Sequence, residues 1–217
     1  MSYTDLDVIR LRYLETRCGT AAEGLRKRGM DARVVRDREA AVAEVLSIIP
    51  AGAEIGCGGS VTVRELGLLD KLRERGDSVF VHEPTMSFEE SNEVRKRALV
   101  CPYYLSSSNA ITLKGELVNV DGVGNRVCGI TYGPGTVVIV AGANKLTADL
   151  DEAMARIRGV AAPANAMRYN LDLPCVKRGQ CADCHSEASI CRVTVITSMR
   201  PILTDLKVVL VPDELGF

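Results

Sequence analysis

The chain has 217 residues, with 27 lysines and arginines against 28 aspartates and glutamates, a formal net charge of −1. That length suits one domain. Hydrophobic residues at 47% and charged residues at 25% rule out a largely disordered chain, and the balanced charge leaves no basic footprint for DNA or RNA. With six Tyr, three Phe and no Trp, stacking platforms for single strands are also disfavoured, and the core must be aliphatic.

Leu6, Ile9 and Tyr13 recur three and four apart among charged residues and predict a helix to about Leu25, stopped by Gly29. A short strand at Ala32 to Val35 and a helix from Glu39 to Ile49, ended by Pro50, follow. Ala53-Glu54-Ile55 runs into the glycine loop Gly56-Cys57-Gly58-Gly59-Ser60. Beyond it a helix carries Leu66, Leu69 and Leu72 on one side, with Thr62 and Glu65 at capping-box spacing. Ser78 to Val81 reads as a strand, Phe88 to Leu99 as a helix and Tyr103 to Leu105 as a strand. Glu116 to Val120 is β-like, and Thr136 to Ala141 is a continuous apolar run, as in a strand covered on both faces. A helix from Asp149 to Arg158 buries Leu150, Met154 and Ile157. The pattern breaks after Pro163, and Val193 to Ile196 and Val208 to Val211 read as closing strands. Strands alternating with helices predict an α/β fold with a mainly parallel sheet flanked by helices, one domain over 1–217 with a cysteine-rich insert at 173–191.

No apolar run approaches the roughly 18 residues needed to span a bilayer. Met1 to Asp5 leads straight into charged helical sequence, without the basic-then-apolar layout of a secretory signal. A cytoplasmic location is expected, where clustered cysteines bind metal or do chemistry more often than they form disulfides. Four of the eight cysteines, Cys175, Cys181, Cys184 and Cys191, fall within 17 residues at the spacing C-x5-C-x2-C-x6-C. Thiolates are soft ligands for zinc and for iron–sulfur clusters. Structural zinc sites usually present two close pairs, whereas only one exists here, so a cubane iron–sulfur cluster (4Fe-4S) is favoured and zinc is the alternative. Cys181 to His185 also matches the haem-attachment pattern C-x-x-C-H, which the missing export signal argues against; His185 is read as a solvated residue or a stand-in zinc ligand. Cys18 and Cys101 read as small buried residues. Cys57, in the glycine loop, is either packing or a reactive thiol.

The glycine loop lets a backbone approach a ligand, and the free N–H groups of the helix after it favour an anion; a plain tight turn is the other reading. It is neither a dinucleotide fingerprint, because Val61 takes the place of the final glycine, nor a P-loop, because no G-K-[ST] follows. Between Ser106 and Arg126 lie Asn109, Glu116, Asn119, Asp121, Asn125 and Arg126, interleaved with apolar strand positions. So many different polar side chains around Gly122 and Gly124 point to a site at the carboxyl edge of the sheet, against the reading of a run of Asx turns. Lys145 follows the apolar strand and stands near the same edge, placed to neutralise a carboxylate or phosphate.

Together these motifs resemble the lactate-utilisation (LUD) domain family. The resemblance rests on Ile55 to Thr62, Ser107 to Thr112, Gly115 to Asn119, Asp121 to Val127 and Ala141 to Lys145, and covers nearly the whole chain. It implies a fold like that of the ribose-5-phosphate isomerase and coenzyme A transferase superfamily, whose strand–Gly-rich loop–helix binds phosphate or carboxylate, here at Gly58, Gly59 and Ser60. It also implies a place in an iron–sulfur-dependent lactate oxidation system. The chain departs from the better-studied members by carrying its own cysteine cluster and no ferredoxin-like domain. In the first reading it is an oxidoreductase component. Gly58, Gly59, Ser60, Asn109, Asn119, Asn125, Arg126 and Lys145 hold a small anion such as a 2-hydroxy acid, Glu116 or Asp121 accepts a proton, and a redox partner protein takes the electrons. In the second it is a non-redox acyl- or phosphate-handling protein with Glu116 as acid, base or nucleophile, and its metal is structural. A purely structural or sensor role is a third option, and homo-oligomerisation stays open.

Overall fold

The computed structural model describes residues 5–217. Its first half runs α1 (Leu6–Lys27), β1 (Asp31–Val34), α2 (Arg38–Ile48), β2 (Glu54–Cys57), α3 (Val61–Glu65), α4 (Leu68–Glu74), β3 (Ser78–Phe80), α5 (Phe88–Leu99) and β4 (Tyr103–Ser106). The second half runs β5 (Ala110–Thr112), β6 (Leu117–Asp121), α6 (Asn125–Thr131), β7 (Thr136–Gly142), β8 (Leu146–Thr147) and α7 (Leu150–Arg156). A π turn (Ile157–Ala161), α8 (Ala162–Arg168), α9 (Pro174–Arg178), β9 (Val193–Thr197) and β10 (Asp205–Val211) complete it.

Six strands form a parallel sheet in the order β1-β10-β7-β4-β2-β3. The α/β class and its mainly parallel sheet are those the alternation predicts. The apolar run of β7 is covered on both faces: Val137, Ile139 and Ala141 point into the layer under α1, while Val138 and Val140 point into the layer under α2, α3 and α4. This period-2 split is what strand geometry imposes on a run with no polar residue. β10 repeats it, with Leu206, Val208 and Leu210 on one side and Val209 and Val211 on the other.

A second, smaller sheet, β8-β5-β6-β9, is absent from the sequence reading. β6 pairs antiparallel with both β5 and β9, and β5 pairs parallel with β8. The strand at Val193 to Thr197 therefore closes this sheet and not the main one. Leu117 of β6 packs into the core under α1, and Val118 packs against α7 with Ala110 and Ala153.

Three local expectations change. The stripe Leu6, Ile9, Tyr13 of α1 lies in solvent, and the helix is buried only through Cys18, Ala21, Ala22, Gly24 and Leu25 near its end. The helix after the glycine loop is broken in two at Gly67, whose φ of +64° is left-handed, and its cap is Ser60, which accepts from the Val63 amide at 3.3 Å. Thr62 and Glu65 form no capping box, because Glu65 instead takes the Gly216 amide and Arg38. Past Arg158 the helix continues through the π turn to Arg168. The wider turn precedes Pro163, which has no N–H to give to the ladder. Cys18 and Cys101 are buried, and Cys57 is buried with its thiol pushed up to about 12 by desolvation, which makes it packing and not a nucleophile.

Candidate functional site

β2 and β4 are neighbours, yet the chain leaves β2 for β3 on one side and leaves β4 for β7 on the other. Their following loops diverge, and open α/β sheets take ligands in the crevice at such a switch point. A cleft of about 440 Å³ lies there. Gly59 and Ser60 enter it after β2, Ser107 to Asn109 after β4, and Lys145 after β7. Asp121, Asn125 and Arg126 come from the β6–α6 connection. Asn165, Arg168 and Tyr169 come from the end of α8, and Ala188 and Ile190 from the cysteine-rich segment.

Arg126 is held in place entirely by neutral acceptors. Its Nη2 donates to Asn109 Oδ1 at 2.8 Å and to the Val120 carbonyl at 2.8 Å, and its Nη1 to Asn119 Oδ1 and to the Ser107 carbonyl at 3.3 Å. Asn109 and Asn119 lock each other, since the Asn109 amide donates to Asn119 Oδ1 at 3.2 Å. Burial holds the guanidinium below its ordinary pKa, opposed by Asp121. Asp121 lines the cleft, but its Oδ2 is committed to the backbone amides of Arg126 at 3.0 Å and Val127 at 3.1 Å.

Lys145 is only 3% exposed. Its Nζ donates to Thr62 Oγ1 at 2.9 Å and to Ser107 Oγ at 3.0 Å. Burial, with Arg156 and Arg126 nearby, lowers its pKa to about 7. Among the described residues neither Lys145 nor Arg126 has a carboxylate within ion-pair distance. Buried cations are normally paired, so the buried Lys145 and the half-buried Arg126, both unpaired in one cleft, mark a place for an anion. The glycine loop contributes shape and not charge, because α3, at five residues, is too short to offer a helix N-terminus of its own.

Of the residues predicted from sequence, Gly59, Ser60, Asn109, Asp121, Asn125, Arg126 and Lys145 share the cleft. Gly58 lies behind it, where a Cβ would meet Arg126 Cγ at 3.0 Å, and Asn119 is buried beneath Arg126. Glu116 stands apart. It precedes β6, pairs with Arg28, accepts from Thr112 and lines no part of the cleft. Sequence reasoning missed Asn165, Arg168 and Tyr169; their three- and four-residue spacing was the available signal, hidden by the assumption that Pro163 ends the helix.

Cys175 is buried in α9, Cys181 and Cys184 are half-buried, and Cys191 is exposed. Burial raises the Cys175 thiol, with Cys184 and then Cys181 adding to it. The Cys191 thiol is shifted upward too, by desolvation of its sulfur although the residue as a whole is exposed, and then by Cys181, Cys175 and Cys184. The Asp183 amide donates to Cys181 Sγ at 3.3 Å. The all-sulfur donor set fits a thiolate-held cluster in kind and number. Among the described residues, however, no three His, Cys, Asp or Glu side chains stand in a metal-holding arrangement. The segment is tied to the cleft: the Arg192 amide donates to the Asp121 carbonyl at 3.0 Å, and Ile190 packs 3.3 Å from where a Gly122 Cβ would lie. No helix of the described residues is long and apolar enough to cross a membrane.

The fold is similar to that of a DUF162 family protein from Deinococcus radiodurans, at 12% identity and a TM-score of 0.50, over 93% of this chain and 98% of that one. A partial likeness to eIF2B delta from Chaetomium thermophilum covers 54% of this chain and 50% of that one, at 14% identity and a TM-score of 0.35. No curated protein sequence matches significantly. The model of the LUD domain matches residues 19–211, from the last turns of α1 to the end of β10. The chain belongs to the LUD domain family.

Proposed function

We propose that the chain binds a small anionic acid of the 2-hydroxy or 2-oxo type in this cleft and serves as an iron–sulfur redox component of lactate utilisation. One arrangement supports the reading. Two cations, Lys145 buried and Arg126 half-buried, have no carboxylate partner among the described residues and face a cleft whose wall includes Ala188 and Ile190, from the stretch between Cys184 and Cys191. A carboxylate laid beside the Arg126 guanidinium supplies the missing counter-charge, with Nε–H the donor that the four Nη hydrogen bonds leave free. Lys145, held by Thr62 and Ser107, is the proton-handling group. Its pKa near neutrality suits the amine to exchanging a proton with the hydroxyl group of a bound 2-hydroxy acid. Lys145 takes this role in place of Glu116, which is outside the cleft, and Asp121, whose Oδ2 is spent on backbone amides.

Cys175, Cys181, Cys184 and Cys191 are the residues that would hold the cluster, and one-electron transfer is the chemistry such a cluster supplies when bound. The sequence holds no nicotinamide fingerprint, so the reading includes a redox partner protein. Anaerobic purification with iron and acid-labile sulfide analysis and electron paramagnetic resonance tests it. Iron and sulfide in equal amounts with a reducible signal, and loss of most of that iron in Cys184→Ser, are the expected results. A single tightly held zinc, or no metal, would overturn the redox reading and leave an acid-binding protein.

A further inference from the structure

We infer that the acid bears a branched or aromatic side chain larger than the methyl group of lactate, received by a carbon wall of Val120, Ala161, Leu171 and Ile190; this rests on the acid-binding reading of the cleft. All four residues line the cleft, and more of its lining surface is apolar than polar. The Val120 carbonyl accepts from Arg126 Nη2 at 2.8 Å, so the wall begins beside the guanidinium. Ile190 packs against the same turn, where a Cβ added to Gly122 would lie 3.3 Å from the Ile190 Cα. A carboxylate seated beside Arg126 therefore has carbon next to it.

The wall is the uncovered edge of two apolar clusters. Val120 packs on Ala110, Val118 and Ala153, against α7. Leu171 and Ile190 pack on Ala166, Leu173 and Cys175, where α8 meets the cysteine-rich segment. Val120, Leu171 and Ile190 are each half-buried, so one side of each rests on its cluster and the other is left to the cleft. Apolar surface kept beside a charged anchor suits a ligand with a carbon body behind its acid group. Arg168 does not call for a second acid here. It is exposed, its guanidinium carbon lies 4.2 Å from the centre of the Tyr169 ring, and its Nε donates to Asn165 Oδ1 at 3.0 Å.

Size points the same way. A cleft of about 440 Å³ falls in the range occupied by larger organic ligands. A three-carbon acid beside Arg126 leaves the carbon wall in water. Each methylene of a longer side chain that leaves water for this wall adds to affinity and needs no hydrogen bond in exchange.

The test is calorimetry on the anaerobically purified full chain with lactate, 2-hydroxyisocaproate, 3-phenyllactate and malate as probes. At least one of 2-hydroxyisocaproate and 3-phenyllactate should bind about tenfold or more tightly than lactate, with a more negative heat-capacity change on binding. Which of the two gains more decides between a branched and an aromatic side chain. Malate, longer than lactate but polar at its far end, should gain nothing. In Leu171→Asn the preference for the apolar acid over lactate should fall by about tenfold. If that variant does not fold, the probe series on the parent chain decides by itself. Equal binding of lactate and the apolar acids, an equal gain with malate, or a preference that survives Leu171→Asn overturns the carbon wall alone. Failure of every probe on a folded chain overturns the acid-binding reading with it.

Discussion

Lys145 keeps two hydroxyl oxygens and no carboxylate around a buried ammonium, and this has a thermodynamic sign. Its pKa falls from 10.5 to about 7 on folding. Between those values the unfolded chain binds the additional proton, so stability rises with pH through that window. Below about pH 7 the amine is charged in both states and the burial penalty is complete. Lys145→Met removes the penalty. The variant should therefore melt above the parent at pH 6, by on the order of 5 °C, with the gap closing as the pH approaches 10. Melting curves at three pH values measure this, and a gap that does not change with pH would contradict the titration. Arg126 differs, because a guanidinium stays charged throughout and is matched to a carboxylate by geometry more than by protonation.

At the level of elements, α5 carries the complete cap: Ser87 Oγ accepts from the Glu90 amide at 3.2 Å, and Glu90 accepts from the Ser87 amide at 2.8 Å. Ser87→Ala should cost about 1 kcal/mol in chemical denaturation, with an unchanged slope. A loss under a few tenths would mean the box contributes little. Which elements were legible follows from their physics. β7 and β10 declared themselves because strands covered on both faces need unbroken apolar runs. β5 and β8, at three and two residues, are too short for any periodicity, so the second sheet stayed hidden. The exposed stripe of α1 shows that apolar spacing states what a helix offers and not whether anything covers it. Thr62 looked like half of a cap because its long-range partner, Lys145, is 83 residues away. Arg126 and Lys145 were readable because each follows a strand at a glycine. Arg168 was not, since only the packing of α8 brings it to the cleft.

At the scale of the molecule, the site is an assembly of parts. The main sheet supplies the switch point and Lys145, the small sheet delivers Asn119, Asp121 and Arg126, and the cysteine-rich segment closes a wall. Asn109 joins the two sheets, bonding the Val120 amide at 2.9 Å as well as Arg126. Neither sheet alone would collect two unpaired cations in one place. The account therefore stands on an acid carboxylate completing the charge of Arg126. Calorimetric titration of lactate into the anaerobically purified chain and into Arg126→Gln tests that directly. The parent should bind and the variant should bind at least about tenfold more weakly while keeping its melting temperature within a few degrees. Equal affinity in the two, or no binding to a folded parent, would contradict it.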